Sequence, residues 1–186
     1  SATVTGGTYG WSIDEDTELV NLQNSILNGE VVTREPAYYA GGTAAAHSGQ
    51  DWGNTYAEVD MSAQHMWYIQ NGQVVLETDV VTGEPIPSKI TPEGVYSLMW
   101  KQPNSVLVGD INPDTGEPAY RTKVKYWMQV TSSGVGFHDA TWQTAFGGTL
   151  YQIPGTGSHG CINMPLDQAG ALFNMIEPGT PVIFHW

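Results

Sequence analysis

The chain is poor in cysteine and in positive charge, and each shortage excludes something. One cysteine, Cys161, stands among 186 residues. No internal disulfide can therefore staple the fold, and the thiol is either a small buried hydrophobe or a reactive group. Six Lys and Arg against nineteen Asp and Glu leave a net charge of −13. The densest basic stretch is Arg121, Lys123 and Lys125, so a nucleic-acid backbone and an anionic membrane surface are both repelled, and no nucleic-acid partner is expected. No apolar run approaches the roughly eighteen residues that cross a bilayer, and no basic, then apolar, leader opens the chain. Membrane insertion of this stretch is not expected. What the chain does have is apolar bulk: 40% hydrophobic residues, with seven Trp and nine Tyr, enough to fill the core of one good-sized domain.

Most of the patterned segments are strands. Val-rich and aromatic runs at 65–70 and 73–81 flank Asn71-Gly72, a two-residue loop that is the strongest short hairpin signal. Val124, Tyr126, Met128 and Val130 alternate with Lys125, Trp127 and Gln129, as a half-buried strand requires. Further strands are expected at 56–61, 95–100 and 181–184, and Trp67, Trp100 and Trp127 read as core. Helical spacing occurs twice. Leu166, Ala169, Leu172 or Phe173, and Ile176 recur at the helical period behind Pro165, which suits a first helical position. Near the N-terminus, Ser12 to Glu15 reads as a capping box ahead of Leu19, Leu22 and Ile26, with Asn28-Gly29 as the stop.

The one cysteine stands in "GTGSHGCINMP", residues 155–165. A stretch this rich in Gly makes a loop whose backbone amides lie open to approach. With a helix expected just beyond it, unpaired N–H groups would favour a thiolate and could hold a developing oxyanion. A thiol with a free pKa of about 8.5 needs a base at neutral pH, and an imidazole is the usual one. His159 is two positions from Cys161, but a tight Gly-containing turn leaves such a pair little freedom to align. His138, in "GVGFHDATW", is 23 positions upstream and is brought to the thiol only by folding; the geometry favours it as the base.

"FHDATW" followed by "GSHGCINMP" resembles the paired signature of the L,D-transpeptidase catalytic domain, the YkuD-like family: a His, a gap, then Ser/Thr-His-Gly-Cys, a hydrophobic residue, and Asn or Arg. Nineteen residues separate His138 from Ser158, and Ile162 and Asn163 follow the cysteine. The likeness begins near "NTYAEVDMSAQHMWYIQNG", at about residue 54. It implies a β-sandwich of mixed sheets with one helix after the cysteine. It also implies that Cys161 is the nucleophile and His138 the base, with the backbone carbonyl of Asp139 orienting the imidazole. Amides near His159, Gly160 and Cys161 would face the oxyanion, with Ser158, His159 and Asn163 shaping the loop. Trp142 matches a position lining the substrate cleft, and Asn163, Tyr126 and Met128 complete the expected substrate-binding set. Asp139 stands where many members have Gly or Ser, so an intruding side chain would disturb the base.

The implied substrates are peptidoglycan stem peptides. A tetrapeptide stem would donate its acyl group to Cys161 as a thioester with release of D-Ala, and an amine of a neighbouring stem would resolve it into a 3→3 cross-link. Water in place of the amine would make the protein an L,D-carboxypeptidase, and a non-catalytic wall-binding module is the alternative of another class. Carbapenems are the implied inhibitors, and no cofactor is expected. A wall substrate lies outside the bacterial cytoplasmic membrane, so an export signal or anchor is expected upstream of Ser1.

Residues 9–39, "YGWSIDEDTELVNLQNSILNGEVVTREPAYY", resemble the end of the peptidoglycan-binding domain that precedes the catalytic domain in some members. The expected organisation is thus a remnant of that domain plus a linker over 1–50 (linker at about 40–54) and a catalytic domain over 51–186. Several rival sites carry less weight. His138, His159 and Cys161 would make an open zinc site, but no CxxC or HxxxH pair supplies the usual spacing. "GDINPDTGEP" approaches a calcium loop through Asp110, Asn112 and Asp114, yet its glycine, Gly116, falls at the seventh place and Arg121 holds the twelfth, where Glu belongs. His47, His65 and His185 read as linker, strand and terminal packing. A papain-like thiol peptidase usually has Cys before His; here His138 comes first.

Overall fold

In a computed structural model, residues 4, 6–10, 13–37 and 52–186 are described. Ser12, His47 and most of the expected linker lie outside them. The chain divides into two compact units, Tyr9–Asp51 and the remainder, Ser1–Thr8 with Trp52–Trp186. The N-terminal unit contains α1 (Glu15–Asn28). Its N-cap is Asp14, whose carboxylate accepts the Thr17 N–H at 3.0 Å; the acidic residues of its first turn suit the positive end of the helix dipole. Gly29 ends it at φ 66°, the left-handed cap that glycine takes without strain.

The larger unit is a two-sheet sandwich, so strands dominate as the pattern predicts. Its elements are β1 (Tyr56–Asp60), β2 (His65–Gln70), β3 (Gln73–Asp79), β4 (Gly94–Ser97), β5 (Trp100–Val108), β6 (Arg121–Gln129), β7 (Gly136–Asp139), β8 (Ile162–Met164), α2 (Leu166–Met175) and β9 (Pro181–His185). One sheet runs β3-β2-β1-β9-β4 and the other β5-β6-β7-β8. Each is mixed: β1 pairs with β9 in parallel and β7 with β8 in parallel, the rest antiparallel. Asn71 and Gly72 both adopt positive φ, 52° and 78°, as a two-residue hairpin loop demands. Gly7 forms a bridge to Val95 of β4, so it belongs with the sandwich, although the sequence assigned it to the N-terminal module.

Alternation sends Ala57, Val59, Met66 and Tyr68 inward from one sheet and Met128, Phe137, Ile162 and Met164 inward from the other. The Phe137 and Phe184 rings meet edge-on at 6.1 Å. Helix α2 contributes Ala169 and Leu172, and Ile176 behind it, to the same core. Pro165 is its N-cap rather than its first helical residue. The predicted strand at 95–100 is in fact the end of β4 and the start of β5, which continues to Val108. Its Pro103 stands on an edge strand, where a missing N–H is tolerated.

The last turn of α2 has no basic residue of its own. Lys101 of β5 takes that place, its ammonium donating to the carbonyls of Phe173 (3.0 Å) and Ile176 (2.7 Å) and pairing with Glu177 (3.0 Å). Lys101→Met keeps the stem packing but leaves these carbonyls unanswered, and should lower stability by about 1–3 kcal/mol. Chemical denaturation with unchanged slope would show this. Among the described residues no helix is long and apolar enough to cross a membrane.

Candidate active site

β7 carries His138 into the interior, opposite Trp127 of β6 and beside Asn163 of β8. The residue is 4% exposed. Its Nδ1 lies 3.0 Å from the Asp139 carbonyl. A carbonyl can only accept, so Nδ1 bears the proton and Nε2 keeps the lone pair that a base needs. Burial pushes the imidazole below its ordinary value of 6.5, partly offset by Asp139; it is therefore neutral at pH 7. Trp127 and Trp142 flank the ring at centroid distances of 6.0 and 5.9 Å.

The Asp139 side chain does not intrude. It turns to β6, where one oxygen accepts the N–H groups of Lys125 (2.8 Å) and Tyr126 (2.9 Å). The β6–β7 ladder stops at Trp127 and His138; the carboxylate continues it one step further and so anchors the end of the strand that holds His138.

Cys161 is half-buried. Its thiol lies 3.5 Å from the Gly134 carbonyl, to which it donates. Desolvation pushes the thiol up to about 11, against a lowering contact from the Gly136 N–H. The resting pair is accordingly thiol and neutral imidazole, not the thiolate expected from a helix end. Cys161 leads into the three-residue strand β8, and α2 starts only after Pro165, so the thiol does not stand at the first turn of the helix.

The loop ahead of Cys161 is tied on both sides. The Ser158 hydroxyl accepts the Gly160 N–H at 3.0 Å and donates to the Cys161 carbonyl. Gly160 sits at φ 117°, a conformation other residues rarely adopt. The motif places the Gly160 amide near the oxyanion; in this structure its N–H donates to the Ser158 hydroxyl instead of facing the cleft unpaired. The stretch 81–91 holds the loop from outside. Ser158 N–H donates to the Thr82 carbonyl and Glu84 N–H to the Ser158 carbonyl, each at 3.0 Å. The Glu84 carboxylate accepts from Lys89 (2.8 Å) and from the Gly155 N–H (3.0 Å), which together hold it below the usual carboxylate range.

One cleft of about 210 Å³ brings together His138, Trp142, Ser158, His159, Cys161 and Asn163. Trp142 is 52% exposed at its mouth. Asn163 donates to Gln143, while its buried Oδ1 has no hydrogen-bond partner among the described residues. Cys161 and Tyr120 also line two adjoining grooves. Two expected substrate residues are not in the cleft. Met128 is fully buried in the core, and the Tyr126 ring packs on Phe173 at 5.3 Å and over Gly170 of α2. Strand alternation is the reason: it turns Tyr126 and Met128 toward the helix and Trp127 to the other face. Sequence reasoning missed Tyr120, Thr122 and Leu107, which the β5–β6 hairpin brings over the cysteine.

His159 is exposed and its ring lies 5.0 Å from that of Tyr120. Among the described residues no three His, Cys, Asp or Glu side chains converge as metal ligands would. The 109–118 stretch is a hairpin end, with Ile111 bridged to Pro118 and Asn112 Oδ1 accepting the Asp114 N–H at 2.9 Å. His65 pairs with Asp79 at 2.7 Å and His185 with Glu58 at 3.0 Å.

A buried, tautomer-fixed histidine and a lone cysteine thus line one cleft on a mixed β-sandwich. A sequence model of the L,D-transpeptidase catalytic domain matches residues 54–184, and the chain belongs to that family. It is similar to the crystal structure of a Cys-to-Ser mutant of the Enterococcus faecium L,D-transpeptidase, with 43% identity and TM-score 0.80 over 99% of this chain and 69% of that one. The catalytic domain from E. faecium acylated by ertapenem is 46% identical, with TM-score 0.60 over 71% of this chain and 97% of that one. L,D-transpeptidase 1 of Mycobacterium tuberculosis is 30% identical over 126 residues, which cover 66% of this chain and 47% of that protein. The chain thus spans less than half the length of this curated relative.

Proposed function

We propose that the protein is a cysteine-dependent L,D-transpeptidase that forms 3→3 peptidoglycan cross-links. The observation that carries this reading is the His138 Nδ1–Asp139 carbonyl bond at 3.0 Å, which leaves a neutral Nε2 in the cleft that Cys161 lines. The Cys161 sulfur attacks the carbonyl of the residue preceding the terminal D-Ala of a tetrapeptide stem, and its proton passes to His138. Collapse of the tetrahedral intermediate breaks the C–N bond; His138 returns the proton to the departing D-Ala amine, and a thioester remains. An acceptor amine then enters, gives its proton to His138 and displaces the sulfur, closing the new amide and restoring the thiol.

On this reading the acceptor approaches along one of the adjoining grooves, and the reaction takes place on the wall side of the bacterial membrane. Residues 51–186 are the catalytic domain, and the helical N-terminal unit belongs to a wall-binding module. The ertapenem adduct of the E. faecium relative supports carbapenems as ligands of the same thiol. Intact mass spectrometry after incubation with a disaccharide-tetrapeptide tests the reading. Loss of D-Ala with a thioester or a cross-linked dimer is expected; loss of D-Ala with only free tripeptide would make the protein a carboxypeptidase, and no mass change would leave a wall-binding module.

A further inference from the structure

The acyl-transfer reading requires an oxyanion donor, and the geometry around the nucleophile points to the residue that aims it. We propose that Thr91 is a positioning residue: its hydroxyl fixes the Gly160–Cys161 peptide so that the Cys161 N–H faces the developing oxyanion. Thr91 stands 69 positions from Gly160 along the chain and is 1% exposed. Its Oγ1 accepts the Gly83 N–H at 3.0 Å and lies 2.8 Å from the Gly160 carbonyl oxygen. A hydroxyl has a single proton, and a carbonyl can only accept, so that proton goes to Gly160.

A trans peptide is planar, with its C=O and the following N–H pointing in opposite directions; among the described residues no peptide is cis. Drawing the Gly160 carbonyl inward to the buried Thr91 therefore turns the Cys161 N–H outward, toward the cleft that Cys161, Ser158 and His159 line. Among the described residues that N–H enters none of the backbone bonds that hold the loop, whereas the Gly160 N–H is taken by Ser158. The restraint matters because the peptide adjoins a glycine. Gly160 at φ 117° has no Cβ to resist rotation, and a flipped peptide would present a carbonyl oxygen to a developing negative charge. Thr91 holds this peptide on its carbonyl side as Ser158 holds the one before it.

The test compares two reactions of the same sulfur. Acylation by a carbapenem passes through a tetrahedral oxyanion. Alkylation by iodoacetamide forms a C–S bond as iodide leaves and develops no oxyanion. Thr91→Val keeps the shape and removes the hydroxyl. It should lower the acylation rate by about tenfold to a hundredfold, up to what loss of one oxyanion donor costs, while the alkylation rate stays near that of the wild type. Thr91→Ser restores a hydroxyl and should restore the ratio of the two rates.

A Thr91→Val protein whose two rates fall together, or do not change, overturns the proposal, because damage to the loop or thiol would affect both reactions. If Thr91→Val does not fold, Thr91→Ala is read in the same way; if neither folds, the hydroxyl is a requirement of folding and the proposal falls. A wild-type protein that alkylates but is never acylated overturns the acyl-transfer reading as well. Normal wild-type acylation with an unchanged ratio in Thr91→Val removes only the role of Thr91.

Discussion

Cys161→Ala is expected to abolish both D-Ala release and carbapenem adduct formation, a loss on the order of ten-thousandfold or more. No other side chain can replace the sulfur, since the chain has one cysteine. The substitution removes a single heavy atom from a half-buried position whose side-chain hydrogen bond is a 3.5 Å contact with Gly134. Stability should accordingly change by less than about 1 kcal/mol. The loop is held by Ser158 and Thr91 through the backbone of Gly160 and Cys161, so its shape does not depend on the thiol. Intact mass after incubation with ertapenem, together with an unchanged thermal transition, checks both halves of the expectation. Turnover retained in this variant would end the thiol mechanism.

That His138 and Cys161 belong together was legible in the sequence, and the structure lines one cleft with both, because their signal is local. A histidine, a gap and a Gly-flanked cysteine can be read without knowing what packs against them. The same holds for the Asn71-Gly72 hairpin and for α2, where backbone preference and periodicity agree. The central strands were harder. β7 and β8 are buried on both faces, so they carry no alternation. β5 continues through Pro103 and through Asn104 at φ 54°, both of which read as a break.

The supporting shell left almost no trace. Glu84 and Thr91 stand in "TGEPIPSKITP", which reads as an ordinary Pro-rich loop; their roles arise only when the fold lays that stretch along residues 155–160. Tyr126 and Met128 were assigned to the cleft, but facing direction belongs to the register of β6. One residue of parity separates them from Trp127, whose ring approaches His138.

The second large effect is expected at His138. His138→Gln retains an N–H that can reach the Asp139 carbonyl and fills a similar volume, but has no titratable base; acylation should fall about a hundredfold to ten-thousandfold. The pH profiles separate this from simple misplacement. In the wild type, burial sets the imidazole below 6.5, so the base is neutral and competent at pH 7. Acylation is lost only as the pH falls through that lowered value and the ring takes up a proton. Above it the rate should be nearly level, because the thiol hands its proton to His138 during attack.

Without that base the residual reaction depends on pre-formed thiolate. Since the thiol is pushed up to about 11, the His138→Gln rate should rise about tenfold per pH unit through neutrality and lose the acid limb. His159→Ala is the companion measurement. Its ring lies on Tyr120, so the rate should fall by less than about tenfold, with the wild-type acid limb kept. If His159→Ala instead lost that limb while His138→Gln kept it, the base would be His159, and the buried imidazole on β7 would be only part of the core.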